Sequence, residues 1–127
     1  MTFAPRQPAR RDRLERAIAR DGDGCFWCRR PFGRLVPPTT DHLVPRVRGG
    51  PSWLANEVAA CRRCNAERGH RSPSDWLTEC EGRGWSPDRA ATRALLVALA
   101  AELVERGGHR DARVAVDGQL RRLPLGG

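Results

Sequence analysis

Four cysteines in two pairs carry the first readable chemistry. Cys25 and Cys28 are separated by two residues, as are Cys61 and Cys64, and 32 residues lie between the pairs. Each C-x-x-C can turn two thiolates toward one centre. Two such knuckles give the four-sulfur set that holds a structural Zn²⁺ tetrahedrally, with bonds of about 2.3 Å. The alternatives are a pair of disulfides or four buried free thiols. The N-terminal MTFAPRQPARRDRLERA has no apolar stretch of the secretory kind, so a reducing compartment is expected, and metal is favoured over disulfide. Binding energy at such a site is also folding energy. Cys80 stands outside both knuckles, on an expected helix, and reads as a partly buried thiol.

A second set offers acid-base and hard-ligand chemistry. Asp41-His42 lies between the knuckles, Asn56 follows His42 by fourteen residues, and Asn65 follows Asn56 by nine. Singly, each has an ordinary reading: His42 a half-buried structural histidine, Asn56 a turn residue, Asp41 a turn acceptor, Asn65 a helix cap. Their joint occurrence inside a four-cysteine frame is what those readings leave unexplained. Through T-D-H-L-V-P-R, G-G and N-E-V-A-A-C-R-R-C-N the chain resembles the zinc-stapled branch of the HNH endonucleases. The resemblance covers about residues 25–71, just over a third of the chain.

The resemblance implies an α+β fold built on a small ββα-metal core, with the helix of the second knuckle beside a two-stranded hairpin and further helices flanking it. It also implies a phosphodiester hydrolase acting on DNA. His42 would be the general base that takes a proton from water, a task suited to an imidazole with an ordinary pKa near 6.5. Asn56 would hold the His42 loop and ring in orientation. Asp41 and Asn65 would ligate a catalytic Mg²⁺ or Mn²⁺, which prefer oxygen donors and open positions. Two departures stand out. Many members carry Lys three or four places past the second knuckle, where this chain has Glu67-Arg68; some carry a further His where this chain has Gly69. His70, about 140° around a helix from Asn65, reads as a phosphate contact or a solvated side chain rather than a ligand.

These groups need elements to position them. The pattern predicts a basic helix over 10–20 after a disordered lead at 1–9, then the first knuckle. Two strand pieces are expected within 34–44, interrupted by Pro37-Pro38, the second running 39–44. A loop around Gly49-Gly50 leads to a strand at 57–60 and to a helix opened by Asn65. Adjacent strand residues face opposite sides, so Asp41 and His42 can share a site only at a strand end, and Pro45 makes such an ending natural. Further helices are expected over 75–81 and 89–106, each with a seryl cap and Pro at its first position. Together 10–108 form the expected nuclease domain, and 109–127 read as a hairpin, with a turn at Asp117-Gly118, or as a loose tail.

The balance of residue types points the same way. A chain of 127 residues supports one domain. With 39% hydrophobic residues, three Phe and no Tyr, its core is thin and a metal staple is apt. The net charge is +8 and all 23 basic residues are Arg, whose planar fork suits phosphate oxygens. Arg46, Arg48, Arg62, Arg63, Arg68 and Arg71 flank the candidate site and are expected to touch nucleic acid, the alternative being a solvated basic face. The four Trp read as packing rather than base-stacking residues. The longest apolar run, 94–101, is too short to cross a bilayer, so a cytoplasmic protein of a bacterial or phage-infected cell is expected. A different class of function also fits the knuckles: a non-catalytic zinc-dependent DNA-binding or assembly module. That module would need the cysteines but not the Asp41, His42, Asn56, Asn65 set.

Overall fold

The structure is a computed structural model that describes residues 6–125. Helix α1 (Arg10–Asp21) precedes the first knuckle. Strand β1 (Pro38–His42) pairs antiparallel with β2 (Glu57–Cys61), and single 3-10 turns at Arg46–Arg48 and Leu54–Asn56 lie between them. Then come α2 (Arg62–Arg68), α3 (Pro73–Gly82), α4 (Arg89–Arg106) and α5 (Arg110–Arg122). No helix among the described residues is long and apolar enough to cross a membrane.

The ladder runs from Pro38 opposite Cys61 to His42 opposite Glu57. His42 is the last residue of β1, so the site does sit at a strand end. The strand expected over 39–44 stops two residues early because Leu43 and Val44 turn inward and become fully buried. The earlier strand piece is only an isolated bridge between Gly33 and Val36.

Helix α2 begins at Arg62, not at Asn65. Cys61 takes the cap position, its Sγ accepting from the Cys64 backbone N–H at 3.5 Å, so a knuckle sulfur serves where a polar cap was expected. Ser72 caps α3 as expected, accepting from Asp75 N–H at 3.2 Å. In α4 the cap is Asp88 rather than Ser86, accepting from Ala91 N–H at 2.8 Å. The carboxylate sits one residue from the helix, and Pro87 falls outside it.

The hairpin or loose tail expected over 109–127 is instead α5, with 126–127 outside the described residues. Its Ala112, Val116 and Gln119 are buried at helical spacing, as is Leu123 just past its end, and α5 packs along α4. That burial outweighs the cost of about 1 kcal/mol for Gly118 inside a helix. Of the disordered lead expected over 1–9, residues 1–5 lie outside the described residues. Residues 6–9 are irregular but tied down: Gln7 Oε1 accepts from Leu54 N–H at 3.0 Å, and the Pro8 carbonyl accepts from Arg13 at 2.8 Å.

One core joins both knuckles, the hairpin and helices α2 to α5, with Trp27 and Trp76 fully buried in it, while α1 buries Ala17. Trp53 and Trp85 sit at its rim, so the tryptophans pack as expected. Cys80 is fully buried rather than partly so, and burial pushes its thiol up to about 12. It is an inert core residue.

Candidate active site

The two knuckles meet. The Sγ atoms of Cys25, Cys28, Cys61 and Cys64 all lie within 4.8 Å of one another, and Cys28 and Cys61 are 3.8 Å apart. A tetrahedron with 2.3 Å bonds has edges of about 3.8 Å, so the donor set fits a structural zinc. The first knuckle is fixed to the second strand by Phe26 N–H donating to the Ala59 carbonyl at 2.9 Å. A hydrogen bond between two of these thiols sets them against each other: Cys64 holds Cys25 down at about 4, while Cys64 is pushed up. A bound cation removes that conflict by making all four thiolates. Arg30 donates to Cys61 Sγ at 3.2 Å, which offsets part of the negative charge of a four-thiolate zinc site.

His42 is half-buried beyond the knuckles. Its Nε2 lies 3.1 Å from Ser52 Oγ and 3.7 Å from Glu57 Oε2, and its Nδ1 has no hydrogen-bond partner among the described residues. Burial lowers its pKa below the ordinary 6.5, partly opposed by the charges of Glu57 and Asp41. The ring is therefore neutral at pH 7, as a proton acceptor must be.

Asn56 is fully buried and works as a staple across the loop. Its Oδ1 accepts from Val44 N–H at 2.9 Å, and its Nδ2 donates to the carbonyls of Val44 and Pro51 at 3.1 and 2.9 Å. It touches the His42 loop, not the ring. Gly50 is required there: a Cβ would come within 1.8 Å of the Val44 carbonyl oxygen.

Asp41 is not a free carboxylate. Its Oδ2 accepts from Trp27 Nε1 at 2.8 Å and from Arg68 Nη1 at 3.0 Å, leaving Oδ1 without a protein partner among the described residues. Asn65 Nδ2 donates to the Thr40 carbonyl at 3.1 Å, which seats the side chain against β1 and leaves its Oδ1 likewise unpartnered. Each of the two side chains therefore keeps one oxygen unpartnered among the described residues.

Arg68 requires a correction. It was expected on the nucleic-acid face but is 1% exposed. Beyond Asp41, it donates to the carbonyls of His42, Leu43 and Arg71, the last two at 2.7 and 3.1 Å, and lies over the Trp27 ring. It satisfies carbonyls that lose their sheet partners where β1 ends. Arg46, Arg48, Arg62, Arg63 and Arg71 remain exposed. Arg48, His70 and Arg71 border a groove of about 410 Å³ whose far wall is α5, with Arg121 and Arg122. His70 lies beyond the end of α2, so the helical angle from Asn65 does not apply to it.

Ser52, Glu57 and Arg13 were not legible as site residues. Only the pairing register, which sets Glu57 opposite His42, would have drawn attention to one of them.

Residues 25–79 match the family model described as HNH endonuclease. The HNH segment takes in both knuckles, the hairpin, α2 and most of α3, and is similar over that span to a nuclease family. No curated protein matches the chain. Helices α1, α4 and α5 lie outside the HNH segment yet pack directly on it: α1 along β2, α4 on the turn at Leu54–Asn56, and α5 on the turn at Arg46–Arg48.

Proposed function

We propose that the chain is an endonuclease that hydrolyses phosphodiester bonds of DNA with a divalent cation, His42 acting as general base. The observation that carries this reading is the setting of His42: half-buried, anchored through Nε2, with Nδ1 unclaimed among the described residues and burial lowering its pKa. A zinc-binding module without catalysis has no use for such a histidine. Asp41 and Asn65 would hold Mg²⁺ or Mn²⁺ through their free oxygens, and the ion would stabilise negative charge developing on the phosphate and the leaving 3′ oxygen. Because Arg68 already neutralises part of the Asp41 charge, affinity for that ion is expected to be low.

The remaining work falls to the chain's own side chains. His42 accepts the proton of the attacking water. Asn56 fixes the loop that carries it, and Arg68 fixes the backbone on either side of the strand end. Exposed Arg46, Arg48, Arg62, Arg63 and Arg71 would receive backbone phosphates, and the groove toward Arg121 and Arg122 gives the strand a path past the site. The test is conversion of supercoiled plasmid to nicked circles by zinc-loaded protein, with Mg²⁺, with Mn²⁺ and with EDTA. Cation-dependent nicking that His42→Ala abolishes is the expected result. DNA binding with no cleavage of supercoiled, linear or single-stranded substrate would leave the non-catalytic zinc module as the function.

A further inference from the structure

Glu57 is a buried charge with no part in the steps above. It is the first residue of β2, directly opposite His42, and is 1% exposed. A carboxylate taken that far from water must be paired. Arg13 of α1 pairs it through two bonds, Nε to Oε1 at 2.6 Å and Nη2 to Oε2 at 3.2 Å. Arg20, two turns further along the same helix, donates to the Glu57 carbonyl at 2.7 Å. The carboxylate is therefore fixed at both its side chain and its backbone, and its Oε2 faces His42 Nε2 at 3.7 Å.

We infer that Glu57, held in place by Arg13, is a positioning residue that selects the His42 tautomer with hydrogen on Nε2 and leaves the lone pair of Nδ1 to act as the base. This rests on the reading of His42 as general base. A neutral imidazole carries one N–H and one lone pair. An anionic oxygen beside Nε2 attracts the N–H and repels the lone pair, so the tautomer with Nε2–H is the lower in energy. The nearer neighbour, Ser52 Oγ at 3.1 Å, can donate or accept; its hydroxyl follows the tautomer and does not choose it. The other charges around the ring are Asp41, whose carboxylate is engaged by Trp27 and Arg68, and Arg46 and Arg13, and none of these bonds to the ring. Nδ1 is the nitrogen without a protein partner, which is the arrangement the tautomer requires. The selecting charge is held from outside the HNH segment, by α1.

The test is the long-range ¹H–¹⁵N spectrum of imidazole-labelled, zinc-loaded full-length protein at pH 8, with His42 assigned by His42→Ala against His70 and His109. The wild type is expected to show the Nε2–H tautomer. In Glu57→Gln the amide oxygen keeps the Arg13 Nε bond, while the NH₂ takes the Oε2 position, gives up the Nη2 bond and faces the ring, so the tautomer is expected to shift toward Nδ1–H. The same variant should lose about ten- to a hundredfold in kcat, a part of the full general-base contribution, with KM little changed. Ser52→Ala should keep the wild-type tautomer. An Nδ1–H tautomer in the wild type overturns the inference whatever the variants do, and so does a Glu57→Gln spectrum identical to wild type. An Nε2–H wild type that cleaves no DNA sinks the nuclease reading instead, and leaves the positioning of the ring intact.

Discussion

Replacing Arg68 with Met removes the most heavily used side chain of the site. Its guanidinium, 1% exposed, serves Asp41 and three backbone carbonyls and stacks on Trp27. Breaking a buried ion pair from one side costs about 3–5 kcal/mol. Each carbonyl left unsatisfied would add about 1–3 kcal/mol if nothing relaxed. The full sum is not expected, because Trp27 still bonds Asp41, Oδ1 is unclaimed by protein, and the Met side chain refills the space over the indole. A loss of about 3–5 kcal/mol is the expected outcome, a large share of the 5–15 kcal/mol, roughly, that holds a domain together. Urea unfolding of zinc-loaded protein, followed by tryptophan fluorescence, measures it. The double variant Asp41→Asn, Arg68→Met should be less destabilised than the separate losses added, with a coupling of about 1–3 kcal/mol. A change below about 1 kcal/mol, accompanied by weaker DNA binding and a shallower salt dependence, would show that Arg68 is a surface phosphate ligand and refute the assignment.

Four further outcomes are expected. His42→Ala should cut the cleavage rate by about 10²–10⁴-fold while leaving zinc content and DNA affinity near wild type. Because burial lowers the His42 pKa, the wild-type rate should hold its plateau at pH 7 and fall only below pH 6.5, as the base takes up a proton; an acid limb above 6.5 contradicts this. Cys61→Ser should lose the metal and most of the folded population, measured by elemental analysis and far-UV circular dichroism, and stable folded protein without zinc would sink the staple. Arg121→Ala with Arg122→Ala should leave folding unchanged and reduce the slope of log K against log salt by about 0.9 for each phosphate no longer neutralised; an unchanged slope removes α5 from the DNA path.

What was legible in the sequence was whatever depends on local spacing. Two C-x-x-C knuckles announce their own geometry, and the structure brings the four sulfurs together. The helix expected over 89–106 is α4 with those bounds, and Leu96, Leu99 and Leu103 are its buried leucines. The misses share a physical cause: each depends on a partner distant in the chain. Arg68 looks like any other arginine after a knuckle until β1 ends beside it and leaves carbonyls to satisfy. Asp117-Gly118 carries a turn signature that only the packing of α5 against α4 overrides.

Helix α1 is the sharpest case. From the sequence it reads only as a basic helix, yet Arg10 reaches Thr40 Oγ1 at 2.9 Å, Arg13 pairs with Glu57, and Arg20 caps the carbonyls of Leu54 and Glu57. An all-arginine basic set makes this economical, because the same side chain can span several ångströms of apolar stem and still satisfy a buried acceptor with a rigid fork. Net charge therefore overstates the nucleic-acid surface of this chain. Part of its arginine content is consumed inside the fold, holding the strand end and the carboxylate that face His42.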